Sequence, residues 1–147
     1  LQRPNKFRWT TQTPTHQVIV GDGRYLWIYN VDLMQVTKKK VNKKIQSPIE
    51  FLAGSGNKVE DQYTITMKSN SQDVQQFILI PKSTSQPVFT QVILNFNKST
   101  LEAMRLTNNL GQTSTFTFSD IKLNKKISDQ LFRFVPPKNV DVINQNV

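Results

Sequence analysis

The chain has 147 residues, no cysteine, one histidine and a formal charge of +9 from 19 basic and 10 acidic side chains. Disulfides, thiolate chemistry and cysteine-based metal centres are therefore excluded, and any nucleophile–histidine pair or histidine-ligated metal would rest on His16 alone. The length suits one domain, 1–147, able to bury roughly 70% of its unfolded surface, and no run of apolar residues is long enough for a spanning helix. The basic excess favours an acidic partner or an anionic surface.

Taken in chain order, "RPNKFRW" (3–9) reads as an extended strand, with Phe7 and Trp9 on one face and Lys6 and Arg8 on the other. The same parity sets Arg3 among the aromatics, where an unpaired guanidinium costs several kcal/mol. "HQVIV" (16–20) runs into "GDG" (21–23), a turn signal. "RYLWIYN" (24–30) then alternates Tyr25, Trp27 and Tyr29 against Leu26 and Ile28, and a further strand passes through Met34 and Val36. The run "TKKKVNKK" (37–44) suits a solvated loop, or a docking patch for acidic membrane components or phospholipid headgroups.

"SPIEFLAGSG" (47–56) breaks the period of two. Ser47 is a good N-cap, Pro48 suits the first helical position, Glu50 completes a capping box, and Gly54 and Gly56 supply a stop. Ile49, Leu52 and Ala53 share one apolar side with Phe51 near its edge, and a second helical turn is expected near 57–61.

Alternation then resumes through "YTITMK" (63–68), "QFILI" (76–80), "VILNF" (92–96), the weaker "LEAMRLT" (101–107), "TSTFTFSD" (113–120) and "LFRFVPP" (131–137). Counted together these are about nine strands with short polar turns and no βαβ rhythm, which predicts a mainly β, antiparallel chain with one apolar and one wet face. One short helix cannot cover the apolar face of so many strands. That face can close into a barrel, pack on a second sheet, or hold a hydrophobic guest beneath a partial cover. Its mixture of Phe, Trp, Tyr and Met with β-branched residues, and a helix sized like a lid, suit a guest with flexible chains.

The blocks "RPNKFRW", "VIVGDGRYLWIYNVDLMQV", "SPIEFLAG" and "FRFVPPKNVDV", in this order and spacing, resemble the LolA family, periplasmic carriers of outer-membrane lipoproteins. The resemblance spans essentially the whole chain. It implies an unclosed, strongly curved antiparallel β-barrel (a half-barrel) with a short helical lid, placed here over 47–61 and including Pro48, Ile49, Phe51 and Leu52. The family's leading helix and first strands would precede Leu1, so the chain is expected to be a fragment or a processed product.

The resemblance also implies roles. Arg3 would latch the lid by donating hydrogen bonds to its backbone carbonyls while the interior is empty. The chemistry is sound, because guanidinium offers five donors and helix ends leave carbonyls unpaired; the plainer alternative is a strand-end arginine whose head reaches water. Phe7 would act in the cavity and in cargo transfer. Parity adds Trp9, Trp27, Leu52, Phe77, Leu94, Phe96, Phe116 and Phe118 as cavity candidates. Implied partners are acylated lipoproteins, a lipoprotein-releasing ABC transporter of the inner membrane and a lipoprotein receptor of the outer membrane, with a monomeric periplasmic carrier between them. No catalytic residue, metal or cofactor is expected.

Three rivals remain. A related lipid-binding receptor or sensor could use the same half-barrel. A basic nucleic-acid-binding β domain would fit the charge, but no recognition motif accompanies it. An enzyme would need a carboxylate pair that Asp22, Asp73, Glu102 and Asp120 do not form in the sequence, or a nucleophile motif to pair with His16.

Overall fold

The computed structural model describes residues 1–2, 6–41, 48–53, 59–69, 71, 73–82 and 87–145. It divides into two compact units: residues 1–56 together with 126–147, and residues 57–125. The chain is mainly β, and each unit is built on its own five-stranded sheet that does not close on itself.

In the first unit, β1 (Lys6–Thr11), β2 (Gln17–Asp22), β3 (Tyr25–Asn30) and β4 (Gln35–Lys40) form an antiparallel meander, and the last strand, β10 (Asp141–Gln145), adds to the far edge. The β2–β3 turn is the predicted one. Gly23 takes φ +98°, and the Asp22 carboxylate accepts from the backbone N–H groups of Arg24 (2.8 Å) and Tyr25 (2.7 Å). The β3–β4 turn uses Asn30 similarly, its side-chain oxygen accepting from Leu33 N–H at 3.3 Å.

Helix α1 (Pro48–Ala53) forms where the capping signals place it and rests against β1. Its expected N-cap Ser47 and stop residues Gly54 and Gly56 lie outside the described residues. In the second unit, α2 (Val59–Gln62) occupies the expected second helical turn and leads into β5 (Tyr63–Ser69), β6 (Val74–Pro81), β7 (Phe89–Asn97), β8 (Thr100–Asn108) and β9 (Thr113–Thr117), paired in sequence order. Lys82 closes this unit's start: its backbone N–H donates to Gln62 O at 2.9 Å and its Nζ to Glu60 O at 2.7 Å.

Two expectations change at the C-terminal end. "LFRFVPP" is not a strand; Asp129–Phe132 is a 3₁₀ turn capped by the Ser128 hydroxyl. Pro136 and Pro137 have no N–H to give to a ladder, so the run cannot pair as its alternation suggests. The final strand is instead Asp141–Gln145, and it lies parallel to β4, so the first sheet is not purely antiparallel. In the second sheet β9 stops at Thr117, short of the alternation's end, and Asp120 at φ 53° leaves the extended conformation.

Candidate functional site

Directly opposed residues in a ladder share a face, so the register decides which side chains meet. In the first sheet Phe7 opposes Gly21, which opposes Leu26; Trp9 opposes Ile19, which opposes Ile28. These two rows make one apolar cluster, with Phe7 and Leu26 buried and Trp9, Ile19 and Ile28 partly exposed around them. Trp9 Nε1 donates to the Thr11 hydroxyl at 3.0 Å, so its polar end is satisfied while its ring stays on this face.

The opposite face of the same sheet carries a second set of core side chains. Val18, Val20 and Val36 are buried there, and the segment after the 3₁₀ turn lays Phe134 over it, with ring centroids 5.5 Å from Trp27 and 5.9 Å from Tyr29. Trp27 Nε1 donates to Asp22 Oδ2 at 3.0 Å. Partial burial pushes the Asp22 carboxyl up, but hydrogen bonds from Tyr25, Trp27 and Arg24, with the Arg24 charge, outweigh it and hold the group below its ordinary value. Lys38 Nζ sits 4.1 Å from the Tyr25 ring centroid and 4.9 Å from that of Trp27. Part of the lysine run is thus engaged with aromatic rings on this face; its residues from 42 on lie outside the described set.

In the second sheet the cross-strand rows are longer. Met67 opposes Phe77, Phe77 opposes Leu94, Leu94 opposes Met104, and Met104 opposes Phe116. The neighbouring row runs Ile65, Leu79, Val92, Leu106 and Ser114. Phe96 joins the first row edge-on to Phe77, with centroids 5.6 Å apart. The other face carries Thr64, Thr66, Lys68, Gln76, Asn95, Arg105 and Thr115, relieved by Ile78, Ile80 and Ile93. Leu79, Val92, Met104 and Leu106 are buried, whereas Phe77, Leu94, Phe96 and Phe116 keep partial exposure and Met67 is 58% exposed.

The expected site residues fall as follows. Phe7 and Trp9 share a face; Phe77, Leu94, Phe96 and Phe116 share another, in the second sheet. Phe118 lies one residue past β9, its N–H donating to Glu102 O at 2.8 Å. Trp27 stands on the opposite side of its sheet from Phe7 and Trp9, stacked with Phe134. In α1, Phe51 is buried while Pro48 and Leu52 are partly exposed; the Ile49 side chain and all of Arg3 lie outside the described residues. Parity alone missed Ile19, Leu26 and Ile28, because β2 and β3 are apolar on both faces and their sign comes only from pairing. His16 is exposed at the start of β2, its N–H directed to Asp32 Oδ2 at 3.4 Å.

The family described as "Outer membrane lipoprotein carrier protein LolA" matches residues 1–135. The chain belongs to the LolA family. Relatives named outer-membrane lipoprotein carrier protein include one from Coxiella burnetii (strain CbuK_Q154), 38% identical over 146 residues covering 99% of this chain and 69% of the relative. Another is from Legionella pneumophila (strain Corby), 39% identical over 146 residues, covering 99% and 71%. A third, from Nitrosospira multiformis, is 38% identical over 147 residues, covering 99% and 70%. The chain is thus a LolA-type outer-membrane lipoprotein carrier, and among its described residues no helix is long and apolar enough to cross a membrane.

Proposed function

We propose that this chain binds the acyl chains of lipoproteins on its apolar sheet faces and shuttles them, as a periplasmic monomer without catalytic activity, from an inner-membrane ABC transporter to an outer-membrane receptor. The observation that carries the reading is the uninterrupted row Met67–Phe77–Leu94–Met104–Phe116, apolar across every strand of the second sheet and open at its ends.

The energetics make such a carrier necessary. Burying one CH₂ is worth about 0.8 kcal/mol, so a chain of about 15 carbons is worth roughly 12 kcal/mol and does not leave a membrane unaided. The carrier must offer comparable apolar surface yet release it. A lid that costs free energy to open lowers net affinity and permits hand-over. We assign that lid to the α1 region, 47–61, with Arg3 as its latch, on the strength of the family motif and the position of α1 beside β1.

Displacement of N-phenyl-1-naphthylamine by a tripalmitoylated cysteine peptide tests the reading. Saturable one-to-one displacement is expected. Folded protein that shows no saturable displacement overturns it.

A further inference from the structure

Gly21 is the second-last residue of β2, still paired on both sides, opposed to Phe7 on one and Leu26 on the other, with ordinary strand backbone rather than a positive φ. Conformational freedom therefore does not explain a glycine here, and a glycine inside a strand costs about 0.5–1 kcal/mol relative to alanine. Space does explain it. A Cβ built on Gly21 would fall 2.5 Å from Phe7 Cε1, 2.8 Å from Cδ1 and 3.0 Å from Cζ. The Cδ1–Cε1–Cζ edge of the Phe7 ring thus occupies the volume that any other residue's side chain would fill at position 21. Phe7 is 4% exposed in this seat and forms the buried centre of the cluster with Leu26.

We propose that Gly21 is a positioning residue for Phe7: by leaving its own side-chain volume empty it holds the ring down on the sheet, and so sets how much room the Phe7–Trp9 face leaves for an acyl chain. This rests on the carrier function proposed above. A methyl group at position 21 lifts the ring off β2 towards the guest. The raised ring takes from the acyl chain the space of roughly one or two methylene groups.

The test is a double-mutant cycle in the full chain with Gly21→Ala, Phe7→Leu and the pair. Leucine has no ring to collide with a Cβ at position 21. Three readings are taken: the unfolding midpoint, displacement of N-phenyl-1-naphthylamine by the tripalmitoylated peptide, and the proton shifts of the Gly21 Hα pair. The Hα resonances should be displaced from ordinary values by the Phe7 ring current and return to them in Phe7→Leu, a signature that a glycine remote from the ring does not produce. Gly21→Ala should lower the midpoint and weaken the peptide roughly tenfold. In the Phe7→Leu background the same change should leave affinity within about twofold and leave the midpoint unchanged or raised, because alanine is the better strand residue. Gly21→Ala failing to fold while the double variant folds supports the seat equally. Equal losses in both backgrounds, both variants unfolded, or ordinary Hα shifts in the unmodified chain overturn it. A wild-type chain that does not bind the peptide overturns the carrier reading and the acyl-chain consequence, while the Hα shifts and the midpoint cycle still decide whether Gly21 seats Phe7.

Discussion

Replacing Asp22 by asparagine removes one oxygen from a carboxylate whose two oxygens are divided between different tasks. Oδ1 accepts from the Arg24 and Tyr25 N–H groups and shapes the β2–β3 turn; Oδ2 accepts from Trp27 Nε1 at 3.0 Å. Asparagine keeps one acceptor, which suits the turn, and turns an NH₂ group towards the indole N–H, donor against donor. The cost is the Trp27 hydrogen bond plus the charge assistance on the other two, about 1–2 kcal/mol for a partly exposed group. In a chain of this size that corresponds to a midpoint lowered by roughly 3–6 °C. The effect should depend on pH in a fixed direction. The native state holds the Asp22 carboxyl below its ordinary value, so its contribution is fully present above the unfolded-state value and is lost as pH falls through the native one. Thermal unfolding of both proteins followed by tryptophan emission, at about pH 7 and again well below the ordinary carboxylate range near 3.9, should therefore give a gap that shrinks in acid. A gap of equal size at both pH values, or none at neutral pH, refutes the argument.

The other predictions are simpler. Met104→Ala, at a position with 0% exposure in the middle of the second sheet's long row, should cost about 2–4 kcal/mol in urea unfolding. Met67→Asp and Thr66→Asp form a matched pair on one exposed edge strand: the first places a charge on the apolar row and should weaken binding of the tripalmitoylated peptide roughly tenfold, the second faces the other way and should change it little. Arg3→Leu should leave lipoprotein loading intact and impair onward transfer; undiminished transfer, measured separately from loading, counts against the latch.

The period-two alternation made the strands legible, and "GDG" made the first tight turn legible down to the glycine that needs positive φ. The helix at 48–53 was readable because capping residues are local signals. What could not be read was anything that depends on register. Leu26 and Trp27 are both large and apolar, and only the pairing of Gly21 with Leu26 and of Phe7 with Gly21 places Leu26, not Trp27, beside Phe7. The C-terminal end failed for a different reason. Phe132 and Phe134 alternate like strand residues, but Phe132 is buried in the 3₁₀ turn and Phe134 covers the Trp27 and Tyr29 rings of the first sheet. "DVINQ" (141–145) is exposed at every position and has little apolar pattern of its own, so its attachment to β4 is invisible without the partner. In the sequence Gly21 belongs to a turn signal; its use as a seat for a ring comes only from three-dimensional distance.

The parallel pairing of β10 with β4 has a consequence for how the polypeptide is made. β4 ends at residue 40 and its outer neighbour begins at residue 141, with the whole of residues 57–125 intervening as a separate compact unit. While a ribosome is still producing that intervening stretch, the backbone amides and carbonyls along one border of β4 have no neighbour and can recruit a strand from another nascent molecule. Arrival of the tail covers that border of β4 with a strand that is polar at most positions. Shortening the tail therefore endangers yield and solubility before it touches cargo handling.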